Sequence, residues 1–145
     1  MNTDYYYHPI ILVEDNPVDL DLILRALKKH NLGNTVEVAR DGQEILDWIP
    51  RWEKGEALPC VILLDLKLPK ISGLEVLRQL RAHPISKSIP IVVLTSSSED
   101  KDIETAYSLH VNSYIVKPVN FEKFIEVTRH IELYWVLLNE SPRKS

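Results

Sequence analysis

The chain has 145 residues, of which 45% are apolar and 26% charged, with a net charge of −4; this bounds it to one ordinary domain with a real hydrophobic core and leaves little room for a second domain with its own output. The acidic balance and the lack of clustered Lys and Arg argue against nucleic acid as the main partner. No apolar run nears the ~20 residues of a membrane span, and residues 1–8 lack the basic stretch and long apolar core of a signal peptide, so a cytoplasmic protein is expected.

In chain order, an apolar run at 10–13 predicts a first strand. Asn16 and Pro17 then suit an N-cap and a first helical position, and Leu20, Ile23, Leu24 and Leu27 form one stripe that stops at Gly33. A second strand at 36–39 leads past Asp41 into a second helix with Ile45, Trp48 and Ile49 at helical spacing, which breaks up around Pro50 and Gly55. A third strand at 61–64 follows Cys60, a lone cysteine in an apolar run, where a buried inert thiol is expected. Gly73 marks a tight backbone after this strand. Ser72 caps a third helix with Val76, Leu77 and Leu80 inward and His83-Pro84 as its stop.

A fourth strand at 91–94 precedes a weakly amphipathic fourth helix over 98–110, for which Ser97 or Ser98 is the expected cap. Its thin apolar content, Ile103, Ala106, Tyr107 and Leu109, predicts a loosely packed, mobile element. A fifth strand at 114–116 leads to a long helix over 120–139, with Phe121, Phe124, Ile125, Thr128, Ile131, Trp135 and Leu138 on one face. The expected organisation is an extension at 1–8, the domain at 9–140 and a frayed tail at 141–145. Five alternations of strand and helix, with strands apolar on both faces, predict a doubly wound α/β fold: a five-stranded parallel sheet in the flavodoxin-like order 2-1-3-4-5, a (βα)5 chain with right-handed crossovers.

That topology brings the carboxyl ends of strands 1, 3, 4 and 5 to one edge, where ligands bind. Glu14 and Asp15 follow the first strand, Asp65 the third, Thr95 and Ser96 the fourth, and Lys117-Pro118 the fifth. Three uncompensated carboxylates would repel one another. Mg²⁺, with its oxygen octahedron, suits Asp15, Asp65 and a nearby backbone carbonyl, and the absence of Cys and His disfavours zinc. An aspartate beside a cation, a lysine and a hydroxyl can form an aspartyl phosphate, with Lys117 balancing charge on the equatorial oxygens. The five histidines are scattered without ligand spacing and receive no role.

The runs Leu12-Val13-Glu14-Asp15-Asn16, Leu63-Leu64-Asp65-Leu66-Lys67-Leu68-Pro69 with Gly73 beyond, Val93-Leu94-Thr95 and Tyr114-Ile115-Val116-Lys117-Pro118 resemble the response-regulator receiver family over nearly the whole chain. The resemblance implies a single-domain regulator, not an enzyme, that assists its own phosphorylation and dephosphorylation. Asp65 would accept phosphate from a partner histidine kinase. Glu14, Asp15, Asp65 and the Lys67 carbonyl would hold Mg²⁺, Lys117 would contact the phosphoryl group, and Thr95 would hydrogen-bond it. Tyr114 would be the rotamer switch, reshaping the surface of the fourth helix, fifth strand and fifth helix. Lys67 and Ser97 stand where the family tunes phosphoryl lifetime.

The long last helix, Tyr134-Trp135 and His110-Val111-Asn112-Ser113-Tyr114 resemble the single-domain regulators that pair with bacterial and cyanobacterial phytochrome kinases; Pro118 departs from those members that lack a proline after the lysine. Leu133, Tyr134, Val136 and Leu137 add a second apolar face beside Trp135 and Leu138. A tail folded on its own domain, a homodimer and a kinase docking site all fit it, with Tyr5, Tyr6 and Tyr7 as possible additions. A homodimer through the surface of the fourth helix, fifth strand and fifth helix is a further expectation.

Three rivals stand beside this reading. Haloacid-dehalogenase-like phosphatases usually carry a second aspartate where this chain has Lys67, and their nucleophile follows the first strand. Flavodoxin-type modules place a hydroxyl- and glycine-rich phosphate loop where this chain has Glu14-Asp15-Asn16-Pro17. A phosphorylation-independent adaptor would keep the same fold and residues. Output is expected through protein contact or phosphate relay.

Overall fold

A computed structural model describes residues 8–29 and 33–137, with side chains of the last helix described as far as Ile131. The elements are β1 (Ile10–Val13), α1 (Pro17–Lys29), β2 (Val36–Ala39), α2 (Gly42–Leu46), α3 (Ile49–Glu53), β3 (Val61–Leu64), α4 (Gly73–Ala82), β4 (Ile91–Thr95), α5 (Asp100–Ser108), β5 (Ser113–Val116) and α6 (Phe121–Leu137). All neighbouring strands pair in parallel, in the order β2-β1-β3-β4-β5, as the sequence predicts.

Strand periodicity divides the core in two, because successive side chains point to opposite faces of a sheet. Ile10, Leu12, Leu63, Val92, Leu94 and Ile115 pack on one face with Leu20, Ile23 and Leu27 of α1 and Phe124, Ile125 and Ile131 of α6. Ile11, Val13, Ile62, Leu64, Ile91 and Val93 pack on the other with Ile45 of α2, Val76, Leu77 and Leu80 of α4 and Ala106 of α5. The adjacent strands β1 and β3 therefore send their chains to helices on opposite faces, and a crevice opens beyond their carboxyl ends.

The one-helix expectation after β2 is corrected: the second crossover holds two short helices, so the chain has six helices among the described residues. Asp41 caps α2 by accepting from the Glu44 N–H at 2.8 Å, and Glu44 reaches back to the Arg40 N–H at 2.8 Å. Pro50 begins α3 instead of ending a helix, since its missing N–H costs nothing in a first turn. Ser72 caps α4 as expected. The N-cap of α5 is Glu99, without a side-chain bond, instead of Ser97 or Ser98, because the Ser97 hydroxyl donates to Asp102 at 2.5 Å. Cys60 is buried, as expected.

Tyr5, Tyr6, Tyr7, Leu138 and the tail at 141–145 lie outside the described residues, as do the side chains of Leu133, Tyr134, Trp135, Val136 and Leu137. No helix among the described residues is long and apolar enough to cross a membrane.

Candidate functional site

Every site residue expected at the sheet edge lies at the carboxyl end of a strand. Glu14 is buried and Asp15 exposed just past β1, and Asp65 is buried just past β3. One carboxylate oxygen from each of the three comes within 4.8 Å of the others.

Their placement has local causes. Asn16 caps α1, its Oδ1 accepting from the Val18 and Asp19 N–H groups at 2.9 and 3.1 Å, and this turn fixes Glu14 and Asp15 at the mouth of the crevice. Past β3, Gly73 allows the start of α4 to lie against the Asp65 backbone. A Cβ on Gly73 would stand 2.3 Å from the Asp65 carbonyl oxygen and 2.4 Å from the Leu66 Cα. The Gly73 N–H also donates to the Leu66 carbonyl at 2.9 Å, closing the loop that holds Asp65.

Lys117 crosses to this cluster from the end of β5. Its ammonium donates to Glu14 Oε1 at 2.6 Å, Asp19 Oδ2 at 2.8 Å and Asp65 Oδ2 at 3.1 Å. The other Asp65 oxygen, Oδ1, accepts from the Lys67 N–H at 3.1 Å. Burial works against the lysine charge, and the three carboxylates outweigh it, so its pKa stands above the ordinary lysine value. Burial raises Glu14 to about 7; the Asp65 charge adds to the rise and Lys117 opposes it. One ammonium thus leaves the cluster short of positive charge. The donors are hard oxygens, so the residues present fit a divalent cation of the Mg²⁺ class.

Thr95 ends β4 fully buried, its Oγ1 accepting from the Ser97 N–H at 3.4 Å. Tyr114 packs against the α4 and α5 face of the core, and its hydroxyl donates to the Ser97 carbonyl at 2.8 Å. A hydrogen-bonded chain therefore runs from Thr95 through Ser97 to Tyr114 and Asp102. The Lys67 side chain is exposed at the rim.

Two members of the site were not read from the sequence. Asp19 lies four residues past Asp15 in the first turn of α1, a spacing that returns a side chain toward the helix start. Asp102 lies five residues past Ser97, with no comparable signal.

Residues 10–129 match the family model described as the response regulator receiver domain. The probable methanogenesis regulatory protein FilR2 of Methanothrix harundinacea is 44% identical over 134 residues, 92% of this chain and 86% of its own length. The bacteriophytochrome response regulator RtBRR is 48% identical with a TM-score of 0.78, covering 93% of this chain and 84% of that one. The Mn²⁺-bound form of response regulator Rcp1 is 34% identical with a TM-score of 0.74, covering 93% of this chain and 99% of that one.

Proposed function

The chain belongs to the response regulator receiver domain family, and from that premise we propose that Asp65 is its phosphoacceptor, charged by a histidine kinase in a Mg²⁺-dependent reaction. The observation that carries this reading is the setting of one buried carboxylate: Asp65 is bonded by the Lys117 ammonium and lies among the oxygens of Glu14 and Asp15, where a cation would fit.

Glu14, Asp15, Asp65 and the Lys67 carbonyl would hold the cation. When bound, it supplies charge neutralisation for the acids and for the incoming phosphoryl oxygens. The chain's own residues do the rest. The Lys67 N–H and Lys117 orient the two Asp65 oxygens, leaving the carboxylate to attack phosphorus. A new bond forms between Asp65 oxygen and phosphorus as the bond from phosphorus to the donor atom breaks. Lys117 and the Thr95 hydroxyl then meet the transferred oxygens, and little else is needed because such transfer depends on positioning and electrostatics.

A shift of Thr95 toward the new anion would act through Ser97 on Tyr114, whose hydroxyl already bonds that residue's carbonyl. Tyr114 is thus the switch, and the surface of α5, β5 and α6 its output. Lys67 and Ser97 tune the phosphoryl lifetime, and a phytochrome-type kinase is the proposed donor. Support for that kinase is the similarity to RtBRR; FilR2 is named for a different process, so the donor is a separate question from the acceptor.

The test is intact-protein mass after incubation with Mg²⁺ and acetyl phosphate. One phosphoryl adduct is expected in wild type, lost without Mg²⁺ and in Asp65→Asn. An adduct of equal yield in Asp65→Asn would overturn the assignment. Labelling by a purified phytochrome-type kinase, compared with an unrelated histidine kinase, tests the donor.

A further inference from the structure

We propose that Asp19 is a positioning residue for Lys117, one that holds its ammonium back from the phosphoryl oxygens and so sets how tightly the phosphorylated site closes. The inference rests on reading Asp65 as the phosphoacceptor.

An ammonium has three donors, and Lys117 spends all of them on carboxylates: Glu14, Asp19 and Asp65. A phosphoryl oxygen on Asp65 can gain a bond from Lys117 only if one of these is given up. The three are not equivalent. Glu14 and Asp65 belong to the oxygen cluster that fits a cation, whereas Asp19 does not. A cation in that cluster drains charge from Glu14 and Asp65 and repels the ammonium. Asp19, outside the cluster, keeps its full charge and becomes the stronger hold on the lysine in the loaded site.

The local structure makes that hold firm. The Asp19 backbone is fixed in the first turn of α1 by the Asn16 cap at 3.1 Å. Asp19 and Lys117 form the polar part of the lining of a cavity of about 130 Å³ whose remaining walls are Leu22, Ile23, Pro118, Val119 and Phe121. The apolar walls leave the lysine end of the pair shielded and the Asp19 end partly exposed, so the pair is of intermediate strength. A first-turn acid also complements the helix dipole, but that role needs no lysine. Asp21, one turn from the helix start and paired with Arg25 at 3.0 Å, offers the matching control for loss of one helix charge.

The experiment titrates beryllium fluoride, a phosphoryl mimic, into the full chain at saturating Mg²⁺, reading bound fluoride by ¹⁹F NMR. Asp19→Asn should tighten binding about threefold to fivefold, the range for a partly exposed ion pair. Asp21→Asn should leave it unchanged. In a Lys117→Ala background the tightening should shrink below about 1.5-fold, because Asp19 acts through the lysine. If the Lys117→Ala proteins bind too weakly to titrate, Asp19→Glu decides: it restores the carboxylate and should return the affinity to within about twofold of wild type. Unchanged or weaker binding in Asp19→Asn overturns the proposal, as does equal tightening in the Lys117→Ala background or in Asp19→Glu. Absence of a bound signal in wild type would overturn the phosphoacceptor reading and this inference together, whereas binding in wild type with no response to Asp19→Asn overturns this inference alone.

Discussion

Burial lifts the Glu14 carboxyl from its ordinary 4.5 to about 7, with the Asp65 charge adding to the effect although Lys117 stands 2.6 Å away. The folded, metal-free chain therefore binds this proton more tightly than the unfolded chain does. Glu14's contribution to stability is complete below about pH 4.5 and is lost as the pH climbs through about 7. In EDTA, stability measured by urea unfolding should fall by about 3 kcal/mol over that window. Glu14→Gln should flatten the fall, and equal slopes in the two proteins would show that the strain lies elsewhere. The sequence made Glu14, Asp15, Asp65, Thr95 and Lys117 legible because each follows a strand whose edge position the topology fixes. It did not reveal Asp19 as the partner of Lys117, because that contact depends on how a long side chain crosses from β5 to α1. The bond from Ser97 to Asp102 was hidden likewise, since a serine before a helix reads first as its cap.

Among the helices longer than five residues, α5 buries the fewest side chains. Ala106 is its only buried residue, and Tyr107 is half exposed, as the weak apolar pattern of 98–110 suggested. Its two ends are held differently. At the start, Asp102 takes the Ser97 hydroxyl and Tyr114 bonds the Ser97 carbonyl, contacts tied to the site. At the end, the Arg81 guanidinium of α4 donates to the carbonyls of Leu109, Lys87, Ile89 and His110 at 2.7–3.0 Å. A shift of α5 would thus pivot about its fixed carboxyl end. Arg81→Ala should cost about 2–3 kcal/mol in urea unfolding, since a charged donor is removed and carbonyls lose partners. Amides near Leu109 and Val111 should lose protection from hydrogen exchange, and Arg81→Lys should not restore it because an ammonium lacks the planar fork. Unchanged protection would place the anchor of α5 in its apolar contacts. Strands and the capped helices α1 and α4 were legible from periodicity and caps. The division into α2 and α3 was not, because Pro50 carries opposite meanings in a helix interior and a first turn.

At the scale of the whole molecule, the doubly wound sheet gathers Glu14, Asp19 and Asp65 around the single ammonium of Lys117, with Asp15 beside Glu14 and Asp65. These groups come from β1, α1, β3 and β5 or the turns beyond them, so the charge cluster exists only when the sheet is formed. A cation that binds it binds the folded chain and not the unfolded one, which couples occupancy of the site to global stability. At pH 8, Mg²⁺ at about a hundred times its Kd should add ~2.7 kcal/mol, or roughly 5–10 °C in Tm for a chain of this size. At pH 5 the Glu14 carboxyl, raised to about 7, holds its proton, and the same Mg²⁺ should yield a smaller shift. The metal and the proton would thus act in opposition on one residue: acid relieves the crowded charges without a metal, and a divalent cation would relieve them at neutral pH. Asp65→Asn removes one of those charges and should cut the Mg²⁺-dependent shift at pH 8 by more than half. A shift as large in Asp65→Asn as in wild type, or larger at pH 5 than at pH 8, would mean that the cation stabilises the fold somewhere other than the sheet edge.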